Sequence, residues 1–323
     1  ERIMREFIIS AEAFCDMDPA YMQQQHVNLM GAVYALSDDE YQENTPNCLD
    51  PKTFYDRLRK GEMPRTSQVS VEQARSSFEE IVRSGKDVLH ISFSSALSGT
   101  CQSCTIAAND VMERYPDSKV LVVDSLSASM GHGLLVEYAL RLKAAGKTIE
   151  ETAALVTQNR LKFCHYFTVD DLNHLHRGGR VSKVSAVVGG MLGIKPILNV
   201  NEEGKLIPFA KVRGRKQSLL ALVENMKKKY HNDLDLPVFI SHGDAPEDAN
   251  FVADQIREHF GIQDIRIGTI GPVIGAHLGA QTLIVLIQQG GECLDQTVVI
   301  GGLPFRGYGI GIHRRSGSGI VLG

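Results

Sequence analysis

The chain has 323 residues, 43% of them hydrophobic and 22% charged, and its 34 Lys and Arg against 38 Asp and Glu give a formal net charge of −4. This length and composition suit a globular protein of one large or two ordinary domains and exclude a disordered chain. The near-balanced charge excludes a global electrostatic drive toward nucleic acid or anionic membrane, and no apolar run reaches the roughly 18–20 residues of a membrane-spanning helix. The apolar stretch at residues 7–10 is too short for a signal-peptide core, so a cytoplasmic protein is expected. Its six cysteines are sparse for this length and are expected as reduced thiols.

Residues 86–93 (KDVLHISF) have the continuous apolar character of a strand buried on both faces; the polar turn SSALSG follows, and 100–115 reads as a helix. Residues 119–124 (KVLVVD) repeat the pattern with the loop SLSASMGHG and a helix over 134–145. A third helix is expected over 148–160, with Thr148 and Glu151 as a capping box. Strand, turn, helix and strand at this spacing build a parallel sheet, which binds ligands at the carboxyl ends of its strands. The loops 94–99 and 125–133 fall at that edge. Beyond about residue 163 the pattern changes to a strand (163–169), a short helix (170–176), the basic turn RGGRVS and a small apolar stretch (185–193). Residues 194–200 and 206–212 flank Asn201-Glu202-Glu203-Gly204 as a β-hairpin. A helix (217–230), a strand (237–242), a helix (246–260) and a strand (264–270) complete the pattern. The expected fold is α/β in two domains: a three-layer α/β/α domain with a parallel sheet over 1–162 and an α/β domain with a mixed sheet over 163–289. A glycine-rich tail without clear period occupies 290–323.

Several segments carry candidate chemistry. In Ser92-Phe93-Ser94-Ser95-Ala96-Leu97-Ser98-Gly99-Thr100, hydroxyls crowd a strand end beside a helix N-terminus, where unpaired N–H groups favour an anion. Ordinary capping by Ser98 would use only one of them. In PRTSQVS, Ser70 and Gln73 read as a capping box, which leaves Thr66 and Ser67 unexplained. The turn Arg177-Gly178-Gly179-Arg180 joins Lys195, Lys211, Arg213, Arg215 and Lys216 in a basic concentration suited to phosphate or an acidic partner, or simply to solvent. Cys101-Gln102-Ser103-Cys104 has redox spacing but lacks the accompanying Trp and Pro, so packing is the simpler reading; no second Cys or His pair at ligand spacing points to a metal. The run Gly307-Tyr308-Gly309-Ile310-Gly311 has no room for the helix a nucleotide loop requires, and Ser241-His242-Gly243-Asp244 is too contiguous for triad geometry. His277, flanked by Gly275, Ala276 and Gly279, is placed to approach a ligand closely.

The segments PRTSQVS, SSALSGT, VVDSLSASMGHG, HLHRGGRVSKVSAVVGGMLGIKPIL, KVRGRKQSL and GPVIGAHLG, in that order over roughly residues 50–280, resemble the DegV family of bacterial fatty-acid-binding proteins. The resemblance implies two α/β domains with a long-chain fatty acid buried between them and no other cofactor. It implies that Thr66 and a serine of SSALSGT, Ser95 with Ser94 beside it, hydrogen-bond the carboxylate, and that His277 lies near the head group. It also implies a non-catalytic role, with the protein presenting its ligand to an ATP-using fatty acid kinase whose acyl phosphate feeds phospholipid synthesis. Arg177, Arg180, Arg213 and Arg215 would form the docking surface for that kinase. Two departures stand out. Where the family has Asp-Ser-Thr or Asp-Ser-Ser, this chain has Glu12-Ala13-Phe14-Cys15-Asp16, which bears on pocket shape, and its C-terminal motif is GAHLGAQ, which bears on the surroundings of His277. Two competing readings remain: a phosphotransferase in its own right, without a P-loop pattern or a carboxylate cluster for Mg²⁺, and a scaffold that has lost lipid binding.

Overall fold

The computed structural model describes residues 5–181 and 193–290; the apolar stretch expected at 185–193 lies outside them up to residue 192, as does the tail from residue 291. In the first half, β1 (Phe7–Glu12), β2 (Asn28–Met30), β6 (Asp87–Ser92) and β7 (Val120–Asp124) form a parallel sheet in the order β2-β1-β6-β7. Every residue of β6 is buried, the expected state of a central parallel strand covered on both faces. A small antiparallel sheet is made by β3 (Val33–Leu36), β4 (Asp39–Gln42) and β5 (Arg65–Thr66). These strands have only two to four residues, too short for periodicity to reveal them.

The helices of this half are α1 (Pro19–Gln24), α2 (Pro51–Arg59), α3 (Val71–Arg83), α4 (Thr100–Arg114), α5 (Ser129–Ala144) and α6 (Ile149–Asn159). The Thr148–Glu151 capping box of α6 is formed in both directions. The box expected at Ser70 is only half formed: Ser70 Oγ accepts the Gln73 N–H at 3.1 Å, but the Gln73 side chain donates to the Gly31 carbonyl instead.

In the second half, α7 (Leu172–Arg177), α8 (Arg215–Lys229), α9 (Pro246–Phe260) and α10 (Pro272–Leu278) accompany a six-stranded mixed sheet that opens at Phe163. Its strands are β8 (Phe163–Thr168), β9 (Ile194–Val200), β10 (Leu206–Arg213), β11 (Val238–His242), β12 (Ile265–Thr269) and β13 (Leu283–Gln288), in the order β10-β9-β8-β13-β11-β12. β9 and β10 form the expected hairpin, with Gly204 at φ +76° in its turn.

One apolar core runs from α3 and α4 through the parallel sheet to the mixed sheet, and a second packs α8 and α9 on the mixed sheet. Helix α5 lies in the first core and touches strands of both sheets. It begins at Ser129, five residues before the expected start at 134, so SMGHG is helix rather than loop. The glycines there serve close approach. A Cβ on Gly131 would sit 1.9 Å from His165 Nε2, and one on Gly133 would sit 2.5 Å from Met17 Cγ. Residues 129–139 are all buried, so this helix has no polar face to announce itself in the sequence.

Gly131→Ala is therefore expected to destabilise the protein by about 1–3 kcal/mol through overpacking, against the roughly 1 kcal/mol gain that alanine brings to an exposed helix position. Urea unfolding midpoints read the sign, and a stabilised variant would contradict the contact.

Candidate functional site

Where the carboxyl ends of β1, β6 and β7 face the mixed sheet, a cavity of about 230 Å³ opens between the two halves. Its wall is apolar along most of its length: Phe14 and Phe93 meet edge to face at 5.2 Å, and Phe167, Val200, Leu206 and Ile284 close it from the mixed sheet. Phe14, the aromatic residue in the atypical N-terminal stretch, is thus part of that wall.

Hydroxyl, imidazole and guanidinium groups gather at one part of the lining. Thr66, in the two-residue strand β5, places Oγ1 2.9 Å from His277 Nε2, near the C-terminal end of α10. His277 Nδ1 lies 3.2 Å from the Gly178 carbonyl, which can only accept, so the proton sits on Nδ1 and Nε2 accepts from the threonine. The RGGR turn packs tightly to make this contact. A Cβ on Gly178 would fall 2.9 Å from the His277 carbonyl oxygen, and Gly179 turns the chain at φ +71°. Burial and then the charge of Arg180 push the His277 pKa down to about 4, so the ring is neutral at pH 7.

The loop of Ser98 is fixed beside Thr66. Val69 N–H donates to Thr100 Oγ1 at 3.2 Å, Gln68 Nε2 donates to Ser103 Oγ at 3.0 Å, and Ser98 Oγ accepts from Thr100 N–H. Thr66, Ser67, Gln68, Ser98, Gly99, Thr100, Arg180 and His277 all line the cavity. Two segments separated by some thirty residues, PRTSQ and LSGT, are thus laced into one rim, and the second half completes it.

The DegV family model, described as an uncharacterised protein family, matches residues 6–289. This chain belongs to the DegV family. It is 44% identical over 282 residues to a DegV domain-containing protein of Clostridium perfringens, covering 87% of this chain and 97% of that one. Its fold is similar to a DegV lipid binding protein from Thermotoga maritima (TM-score 0.77, 28% identity, 89% of this chain and 99% of that one). It is also similar to DegV, a fatty acid binding protein from Bacillus subtilis (TM-score 0.76, 26% identity, 87% and 98%).

Around this cavity of the DegV-family chain, the sequence-based candidates separate. Thr66 and His277 meet. Ser95 does not line the cavity: it is exposed, and its N–H donates to Asp124 Oδ1 at 3.2 Å. Ser94 is buried but committed, its Oγ donating to the Gly204 carbonyl at 2.9 Å across the two halves. Ser98, read from sequence as a simple cap, is the serine of that segment that lines the cavity, with Thr100 beside it. The arginines separate too. Arg180, expected at a docking surface, lines the cavity. Arg215 is tied to Asp248 and the Gln281 carbonyl, so its charge is not free for a partner. Arg177 faces Asp171 at 3.6 Å, and Arg213 is exposed.

Cys101 and Cys104 are unbridged, and burial pushes both thiols up, Cys101 to about 11, contrary to the stabilised thiolate a redox site needs. The fold does gather Glu12, His90 and Cys104, with ligand-type atoms within 4.8 Å of one another. Hydrogen bonds already occupy the first two: Glu12 accepts from Ser92 Oγ and the Phe93 N–H, and His90 bridges Glu12 and Ser10. Among the described residues no helix is long and apolar enough to cross a membrane.

His277 should remain neutral down to about pH 5 when followed by its ring carbon shifts in NMR, and Arg180→Ala should raise its pKa by removing a like charge. An ordinary titration near 6.5 in the ligand-free protein would contradict the burial of the ring.

Proposed function

We propose that this protein binds a long-chain fatty acid in the cavity between its halves, with the acyl chain against the aromatic and aliphatic wall and the carboxylate at Thr66, Ser98, His277 and Arg180. The observation that carries the reading is the pairing of an apolar slot with a converging hydroxyl, imidazole and guanidinium set, the arrangement an amphiphilic anion needs. The lipid- and fatty-acid-binding descriptions of the relatives from T. maritima and B. subtilis support it. On arrival of the carboxylate, the Thr66 hydroxyl turns from His277 Nε2 to donate to the ligand. The negative charge raises the His277 pKa and lets the ring take up a proton and donate as well. Arg180, exposed to solvent, contributes a screened charge rather than a closed clamp.

A head group held this way stays within reach of a second protein. The protein is read as a non-catalytic, cytoplasmic subunit that presents its ligand to a fatty acid kinase, with Arg213 and Arg177 on the surface offered to that partner. The 1–162 and 163–289 units are read as the two domains that enclose the ligand.

Native mass spectrometry of the purified protein should find one long-chain acid per chain. Thr66→Ala and His277→Ala should each weaken binding roughly ten- to a hundredfold, the loss of about 1.5–3 kcal/mol for a hydrogen bond to a charged group. Ser95→Ala should leave occupancy unchanged. An empty protein that also fails to take up oleate would end this reading. ATP turnover by the pure protein, tracking its concentration through purification, would favour the phosphotransferase.

A further inference from the structure

Helix α10 joins the head-group site to a pair of buried carboxyl groups. Its last turn carries His277, and Val273 and Ile274 line the cavity. At its start Pro272 has no N–H, so Gly271 and Val273 supply the first two amide donors. Each is taken by a carboxylate oxygen from the first half: Gly271 N–H donates to Asp16 Oδ1 at 2.8 Å, and Val273 N–H donates to Glu43 Oε1 at 2.9 Å. The two oxygens converge. A Cβ built on Gly271 would lie 2.9 Å from Glu43 Oε1 and 3.0 Å from Asp16 Oδ1. Asp16 also accepts from Ser129 Oγ, itself in the cavity wall, while Glu43 Oε2 is buried without a partner.

We propose that Asp16 and Glu43 are positioning residues for the fatty-acid head group: they hold α10 so that His277 meets Thr66, and when both ionise the repulsion between their converging buried charges loosens that hold and weakens ligand binding. The inference rests on the fatty-acid reading above. Burial is the main reason the pair titrates in the right range, lifting Asp16 to about 7 against the hydrogen bonds from Ser129 and Gly271. Burial and the charge of Asp16 lift Glu43 to about 8. Both pKa values are raised, so the folded state favours the protonated forms. Their contribution to the folded arrangement is full below the ordinary carboxyl range and is lost as pH rises through about 7–8.

The neighbouring thiols and phenols are held above that window. Cys15, Cys48, Tyr34 and Tyr55 are all pushed up by burial. Arg59 is paired with Asp244, and Arg266, which lines the neighbouring cavity with Asp18, is paired with Glu137. His277 titrates well below it.

The test uses delipidated full-length protein, oleate as the probe and calorimetric affinities from about pH 6 to 8.5, for the wild type, Asp16→Asn, Glu43→Gln and the double variant. The ligand's own titration cancels in the ratio of wild type to variant. Wild-type affinity should fall roughly three- to tenfold relative to the variants across the range, and the His277 ring shifts should show a step near pH 7–8 that is reduced in each single variant and absent from the double variant. If Glu43→Gln fails to fold by circular dichroism, Asp16→Asn carries the comparison. A pH-independent ratio with no step at His277 overturns the proposal while the fatty-acid reading stands. If nothing binds oleate at any pH, the fatty-acid reading falls. The His277 step, read without ligand, then decides alone whether the pair positions the ring.

Discussion

The two halves share one buried helix, α5. Because residues 129–139 of α5 are buried throughout, the helix is core to the parallel sheet and to the mixed sheet at once. Separating the halves would expose that surface to water at a cost of about 25 cal/mol for each Å² of apolar area. The glycines of its first turns let Met17 and His165 press against its backbone, so the sheets approach closely enough to share one core. The cavity lies beside this seam, at the N-terminal end of α5, with walls drawn from both halves.

Polar contacts cross the seam at several places, and some of them also shape the cavity. Thr66 to His277, Ser94 to Gly204, Tyr55 to Ile270, Asp16 to Gly271 and Glu43 to Val273 each join the first half to the second. Three of these five involve α10 or the residue before it. The geometry at Thr66 and His277 and the association of the halves therefore share bonds at α10, and a change that shifts α10 acts on both.

Buried ionisable groups meet two different fates here. Burial pushes Glu12 up, but the His90 charge and hydrogen bond, with further help from His132 and Ser92, outweigh it and hold the carboxylate ionised. Asp16 and Glu43 have amide and hydroxyl donors but no cation among their hydrogen-bond partners, so desolvation prevails and protons are retained toward neutral pH. The difference lies in partners that sequence spacing does not disclose, since His90 stands on a strand 78 residues away from Glu12.

Much of the fold was legible because it follows local rules. Continuous apolar runs at β6 and β7, the capping box at Thr148 and the Asn-Glu-Glu-Gly turn each announce an element from its own residues. The candidate site was legible as family motifs: Thr66 and His277 were named through the resemblance of PRTSQVS and GPVIGAHLG to the DegV family, whereas their hydroxyl and small-residue surroundings alone left each open. Which serine of SSALSGT faces the cavity was not legible. Ser95 and Ser98 are alike in type, and only the turn before α4 decides that one points to solvent and the other into the cavity. The start of α5 was hidden for a related reason: glycine reads as a loop former locally but here answers a steric demand from His165, distant in sequence. Arg180 is exposed surface charge, yet the RGGR turn packs on α10 and so brings it to the cavity rim. Sequence determined the elements and the chemical types available; tertiary packing decided which of them meet, because contacts between distant segments depend on shape and distance that no local pattern records.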